Sequence, residues 1–108
     1  MIPLMKTQII EVRTGGRETI RDITAECARF AEAAADGGDG LLPADDRWRH
    51  AHGSRGHGRS HVLPAFVPPY ATLPVIGGRL ALGTWQSVVL VDLNVDNPNR
   101  QIRLSFLS

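Results

Sequence analysis

One short segment of this 108-residue sequence holds most of the side chains that could bind an ion. The chain's four histidines (His50, His52, His57 and His61) all lie in the run WRHAHGSRGHGRSH. Neutral imidazole is the commonest metal ligand in proteins. Their spacing matches no standard zinc motif, and without a nearby cysteine or carboxylate a closed structural site is not expected. The residues leave two interpretations: an open site of two or three histidines, or a solvent-exposed loop.

The same segment is strongly cationic. Residues 47–61 contain four arginines and no carboxylate, although the whole chain has a net charge of only +1. Guanidinium groups pair with phosphate oxygens, and the interleaved glycines allow backbone N–H groups to approach the same anion. The segment therefore favours a small phosphorylated ligand. RNA is the rival ligand, although Trp48 is the sole aromatic residue there for base stacking, and general solubility is the third interpretation.

A second group of interest is the sequence GTWQ, from Gly83 to Gln86. Gly83 permits a tight bend, while Thr84 and Gln86 offer polar groups. Trp85 can bury a large apolar area. From residue types alone, this run predicts a β-turn with a tryptophan in the core.

The amino-terminal half predicts a strand and a helix that support these groups. Residues 6–14 are rich in β-branched side chains and indicate a strand, and residues 19–23 indicate a short strand or an extended lead-in. A helix over residues 24–35 is predicted, with Asp22 or Thr24 as its cap. Its apolar face repeats at helical spacing and consists of Ile23, Cys27, Phe30, Ala31 and Ala34. Cys27 is therefore expected to be a small buried hydrophobic residue rather than a nucleophile.

The carboxyl-terminal half predicts an antiparallel sheet. Residues 43–61 have the composition of a loop. Strands are predicted at residues 72–75 and 79–82 around a Gly77-Gly78 turn, then at residues 86–95 and 101–106. The predicted fold class is α+β: an antiparallel β-sheet meander with a packed helix.

Length and composition set the wider limits. At 43% hydrophobic and 21% charged residues, the chain resembles soluble globular proteins, and it fits one domain over residues 1–108. No apolar run approaches the roughly 20 residues needed to cross a bilayer. A single cysteine cannot form an internal disulfide, so a reducing, cytoplasmic location is expected.

Several motifs resemble the YjbQ family of small bacterial and archaeal proteins. The similarity includes Trp48-Arg49-His50, His61, the run GGRLALGTWQ at residues 77–86 and the closing QIRLSFL. The amino-terminal runs IIEVRT and DITAE also match. This resemblance implies an α+β fold with an antiparallel sheet, and assembly as a homotrimer with the site near subunit contacts.

The resemblance also implies a site and a reaction. His50 and His61 would be the site histidines and possible ligands of a divalent ion, Mg²⁺ or Zn²⁺. The implied activity is that of a thiamine-phosphate synthase, which joins a pyrimidine pyrophosphate to a thiazole phosphate. Arg49 would then contact the anion, and Thr84, Trp85 and Gln86 would contact the substrate.

The chain departs from the family pattern between Leu42 and Pro43. Family members usually carry there a strand with a His-Thr-x-Ala type motif and a helix, roughly thirty residues by average element lengths. The missing histidine would be a third ligand. The alternatives to an enzyme are a non-catalytic shortened homologue, or a phosphate- or RNA-binding module that uses the basic loop.

Overall fold

A computed structural model describes residues 5–13, 15, 19–46, 70–92 and 99–108 of the chain. The elements in these ranges are β1 (Met5–Arg13), β2 (Thr19–Asp22), α1 (Thr24–Ala35), β3 (Gly40–Asp46), β4 (Tyr70–Ile76), β5 (Arg79–Leu80), β6 (Val89–Asp92) and β7 (Asn99–Leu107). The α+β class is confirmed, as is the helix over residues 24–35. None of the helices in the described ranges is long and apolar enough to cross a membrane.

The strands form two antiparallel sheets. The larger has the order β1-β7-β3-β4-β5, and the smaller pairs β2 with β6. Consecutive pairing, as in a meander, is confined in the described residues to β3, β4 and β5. The last strand, β7, lies between β1 and β3 instead of beside β6. The backbone of β7 is paired on both sides, and its Ile102, Leu104 and Phe106 are all buried on the face toward the core.

The core lies between one face of the larger sheet and α1. All five apolar helix positions predicted from the sequence are buried, with Cys27 and Ala31 at 0% exposure. They pack against side chains that alternate along the strands, including Leu42, Val75 and Phe106. Burial of this apolar area is the main contribution to the stability of the fold.

Three boundaries differ from the sequence-based expectation. Residues 43–46 were expected in a loop but lie in β3, where β4 and β7 pair with the strand from both sides. Pairing on both sides outweighs the weak local preference of this stretch. Leu42 and Pro43 are consecutive residues of this continuous strand, and the expected deletion between them stays a prediction. Residues 81–82 and 86–88 were expected in strands and lie outside them.

At one end of the sheet two turns meet backbone to backbone, and we call this the glycine end. Gly78 has a φ of 80°, and its N–H donates to the carbonyl of Gly38 at 2.8 Å. A Cβ atom at Gly78 would lie 2.9 Å from the Cα of Gly37. The neighbouring Gly77 N–H donates to Oδ1 of Asp39 at 2.7 Å. These bonds attach the β4–β5 hairpin to the connection between α1 and β3.

Candidate functional site

The opposite end of the sheet is where β3 finishes and β4 begins, and we call it the tryptophan end. Asp45 of β3 pairs with Tyr70 of β4, so the connecting residues 47–69 begin and finish at this end. His50, His61 and Arg49 belong to that connection and lie outside the described residues. Thr84, Trp85 and Gln86 lie within them.

The GTWQ run forms a tight turn with two hydrogen bonds between the same two residues. The N–H of Gln86 donates to the carbonyl of Gly83 at 3.0 Å, which closes a β-turn. The N–H of Gly83 in return donates to Oε1 of the Gln86 side chain at 2.8 Å. The predicted turn is therefore confirmed, and its position is fixed by a backbone bond and a side-chain bond together.

The predicted burial of Trp85 is wrong. Its side chain is 96% exposed, the highest exposure among the described large hydrophobic residues. The reason is that both ends of the turn are held by hydrogen bonds, and the two central residues, Thr84 and Trp85, extend into solvent. A tryptophan in a four-residue turn can be buried only if another element covers the turn, and the sequence does not encode that element locally.

Chain direction places this turn at the tryptophan end. β5 is antiparallel to β4, and the Ala81 N–H donates to the Pro74 carbonyl at 2.9 Å, which continues the pairing beyond β5. The chain therefore runs from the glycine end alongside β4 toward Tyr70, the first residue of that strand. The turn at Gly83 thus lies toward the end of the sheet at which β3 finishes and β4 begins.

The start of α1 fixes the far side of the turn. The N–H of Val88 donates to Oγ1 of Thr24 at 2.8 Å, and the N–H of Ile23 donates to the Val88 carbonyl at 2.8 Å. Oδ1 of Asp22 accepts the N–H of Thr24 at 2.8 Å, but the N-cap position is Ile23 and has no side-chain cap bond, so the predicted cap at Asp22 or Thr24 is wrong. Hydrogen bonds from the side chain of Thr24, and then from its N–H, hold the pKa of Asp22 below its ordinary value.

Two adjacent carboxylates at the end of β3 are each bonded to an arginine of β7. Asp46 is bonded to Arg100 at 2.5 Å on the core face, where Arg100 is only 5% exposed. Asp45 is bonded to Arg103 at 2.6 Å on the outer face. Since successive strand residues point to opposite faces, the pair does not form one acid–base site. Their contacts favour a structural role at the base of the 47–69 connection.

A shallow polar concavity lies where the end of β1 pairs with the start of β7. It has a volume of about 390 Å³ and is lined by Glu11, Arg13 and Asn99. Nε2 of Gln101 donates to Glu11 at 3.4 Å next to it. The sequence analysis did not identify these residues. The sequence feature that could have indicated them is the pair Glu11 and Arg13, which lie on one face of β1 near its end.

The described residues contain no cluster of three or more histidine, cysteine, aspartate or glutamate side chains that could hold a metal ion. The predicted ligands His50 and His61 lie in the undescribed connection, so the metal site stays a prediction. Cys27 is confirmed as a buried residue of the apolar helix face. Burial, then the charges of Glu26 and Asp22, raise the pKa of its thiol to about 11, so it is not a reactive thiolate at neutral pH.

Comparison with known families gives a match over most of the chain. A family model described as UPF0047 protein YjbQ-like matches residues 35–108. A UPF0047 protein of Mycobacterium bovis is 70% identical over 67 residues, which cover 62% of this chain and 52% of that relative. A UPF0047 protein of Methanothermobacter thermautotrophicus is 37% identical over 68 residues, or 62% of this chain and 46% of the relative. The chain spans about half the length of these curated relatives.

Solved structures share the fold. A YbjQ-like protein of unknown function from Sulfolobus solfataricus P2 superposes with a TM-score of 0.81 at 19% identity, covering 99% of both chains. A hypothetical protein from Aeropyrum pernix K1 gives a TM-score of 0.76 at 21% identity, covering 95% of this chain and 98% of the other. At such identities the likeness establishes the architecture and not the activity.

Proposed function

This chain belongs to the YjbQ-like UPF0047 family, and from that premise we propose that it is a thiamine-phosphate synthase-like transferase. The reaction joins a pyrimidine pyrophosphate to a thiazole phosphate. The bond from the pyrimidine side chain to the pyrophosphate breaks, the thiazole ring takes that position, and pyrophosphate leaves with the electron pair. Such a reaction needs cationic groups for the leaving group and a surface that orients two rings.

One observation supports this proposal most strongly. Trp85 is 96% exposed on a turn whose backbone is held by the bonds between Gly83 and Gln86. An exposed aromatic side chain suits the ring of a phosphate ester, and the arginines of residues 47–61 would bind its phosphate groups. The ion pairs of Asp45 and Asp46 neutralise carboxylates that would otherwise repel such a ligand.

In this proposal the residues have separate roles. Arg49 stabilises the departing pyrophosphate by bidentate hydrogen bonds. Trp85 and Thr84 line the ring site. His50 and His61 are imidazole donors of the kind that binds Zn²⁺, and a divalent ion bound there would supply further neutralisation of phosphate charge. The proposed location is the cytoplasm, since the single cysteine has no partner cysteine in the chain.

The activity is tested by incubating the purified protein with both precursors and Mg²⁺, and by measuring thiamine phosphate by chromatography. We expect product with the unaltered chain and a loss of about a hundredfold or more with His61→Ala. The matched control is His57→Ala, which removes a histidine from the same segment and is expected to retain activity. Equal turnover in His61→Ala and the unaltered chain would contradict the proposal.

The metal part of the proposal has its own test. Calorimetric titration with Zn²⁺ should show saturable binding that is lost when His50 and His61 are both changed to alanine. Binding that survives this double change would assign the ion to other ligands. No saturable binding at all would remove the metal from the proposal.

We further propose a homotrimer, with second and third copies covering part of the outer sheet face. That face carries a row of exposed apolar side chains, with Met5 at 67%, Leu41 at 49% and Leu107 at 38% exposure. These three residues are neighbours across β1, β7 and β3. Sedimentation equilibrium should give three times the chain mass, and Leu41→Lys should lower it; a monomer at all concentrations would contradict this assembly.

A further inference from the structure

The Trp85 turn combines two properties that are rarely found together. Its tryptophan is almost completely exposed, at 96%. Its backbone, however, is fixed at both ends, by the bonds between Gly83 and Gln86 on one side and by those of Val88 with Ile23 and Thr24 on the other. A mobile loop would explain an exposed tryptophan without further meaning, but this turn is held firmly. A rigid exposed ring is prepared for a ligand, because little conformational entropy remains to be lost on binding.

The side chain of Gln86 forms a hydrogen bond within the turn itself. Its Oε1 accepts the Gly83 N–H at 2.8 Å, so this oxygen is used within the turn. The side chain lies so close to Gly83 that a Cβ atom there would be 3.3 Å from Oε1 and 3.5 Å from Cδ. Gln86 therefore has a role inside the turn, and its expected role as a substrate contact stays a prediction.

We propose that Gln86 is a positioning residue that holds Trp85 as a stacking surface for the planar aminopyrimidine ring of the substrate. This inference rests on the proposed function, since it names the part of the substrate that Trp85 receives. Stacking suits a pyrimidine, because every heteroaromatic ring offers a π-face to the indole and needs no hydrogen-bond donor there. The phosphate groups of the same substrate are left to the cationic segment.

The stacking is tested by nuclear magnetic resonance of the full chain. The chain has two indole N–H groups, from Trp48 and Trp85, and a Trp48→Phe variant assigns their two signals. The probe is an unphosphorylated aminopyrimidine alcohol, with inorganic pyrophosphate as the comparison ligand. We expect the Trp85 signal to shift saturably with the aminopyrimidine and to remain unmoved by pyrophosphate. A Trp85 signal that is unmoved by the aminopyrimidine would overturn the inference.

The role of Gln86 is tested with a pair of matched variants. Gln86→Ala removes the acceptor of the Gly83 N–H, whereas Gln86→Glu retains an oxygen at the same distance along the side chain. Gln86→Ala should weaken aminopyrimidine binding at least about fivefold, with pyrophosphate inhibition unchanged, and Gln86→Glu should restore it. Equal weakening in both variants, or none in either, would contradict a positioning role. A lowered melting temperature that explains the loss in Gln86→Ala would do the same.

The outcomes separate this inference from the proposed function. If the ring shifts the Trp85 signal but no thiamine phosphate forms from the two precursors, the stacking site stands and the transferase activity fails. If product forms while the Trp85 signal stays unmoved, the activity stands and the stacking site fails. If the Trp85 signal changes with protein concentration alone and not with the ring, the tryptophan serves contact between copies of the chain, and the inference is wrong.

Discussion

The two ends of the large sheet differ in how closely their backbones pack and in which side chains they expose. At the glycine end, backbones approach so closely that a Cβ atom at Gly78 would lie 2.9 Å from the Cα of Gly37. The ring of Phe106, 1% exposed, lies against Gly40 there, where a Cβ atom would be 2.5 Å from it. At the tryptophan end, ion pairs flank the start of the 47–69 connection, and the described aromatic side chains of Trp85 and Tyr70 are exposed.

From this difference we infer that the glycine end contributes mainly to stability and that the Trp85 turn serves ligand binding. At Gly78 and Gly40 the packing leaves no space for a side chain, because an added Cβ atom would lie within 3 Å of backbone atoms. The tryptophan end keeps polar and aromatic groups accessible, and its hydrogen bonds fix the turn without covering it. Removal of the buried Phe106 ring should therefore lower the free energy of unfolding, whereas removal of the exposed Trp85 ring should lower ligand binding and leave stability nearly unchanged.

The largest expected effect is that of Phe106→Ala. Loss of this buried ring should lower the free energy of unfolding by about 3–5 kcal/mol. Trp85→Ala is the matched control, because it also removes a large aromatic side chain but one that is exposed, and a change within about 0.5 kcal/mol is expected. Urea denaturation followed by circular dichroism measures both. Similar losses in the two variants would show that the ends do not differ as described.

The two ion pairs provide the next comparison. Arg100→Met removes the partner of Asp46 on the core face, where both side chains are mostly buried, and should cost about 3 kcal/mol of unfolding free energy. Arg103→Met removes the partner of Asp45 on the outer face, where the arginine is 46% exposed, and should cost less than about 1 kcal/mol. Thermal and urea unfolding of both variants give the ranking, and a reversed order would contradict the burial argument.

The glycine end is tested by two neighbouring substitutions. Gly78→Ala places a methyl group against the Gly37 backbone at a positive φ, and should lower the free energy of unfolding by about 1–3 kcal/mol. Gly77→Ala has a positive φ of 61° but open space around the new methyl group, so only the backbone strain of about 1 kcal/mol is expected. If both variants cost the same, close contact between the turns is not what requires glycine at position 78.

The smallest effect is a pH dependence from Cys27. Its folded-state pKa of about 11 lies above the ordinary value of 9.0, so the unfolded chain loses the thiol proton first as pH rises. The contribution of this group to stability is therefore full below about pH 9 and declines between pH 9 and 11. The slope of urea midpoints over this range should be smaller in Cys27→Ala than in the unaltered chain. An identical slope would show that the thiol is not sequestered in the folded state.

The sequence predicted the structure correctly where the pattern lies within a single helix, strand or turn. The apolar spacing from Ile23 to Ala34 predicted α1 and its buried face, because a helix repeats side-chain direction within one segment. The Gly77-Gly78 pair predicted the hairpin for the same reason. The alternation from Ile102 to Phe106 predicted the buried face of β7, but it did not predict which strands lie beside it.

The candidate site was less predictable than the fold. Residue types identified Trp85 as notable but placed it in the core, because a large apolar side chain is usually buried. Gln86 was predicted to contact substrate, and its bond to the Gly83 N–H could be found only from the folded turn. The ion pairs between β3 and β7 join residues more than fifty positions apart, so no local pattern indicates them.

The sequence by itself therefore determined the α+β class, the helix over residues 24–35, the turns and the cationic histidine segment. These depend on backbone conformation and side-chain type within a few residues. Only the tertiary structure decided that β7 lies between β1 and β3, that Gly78 must approach Gly37, and that Trp85 is exposed on a turn braced by Gln86. Each of these is a contact between distant segments or a consequence of what covers a residue, and burial is a property of the assembled fold.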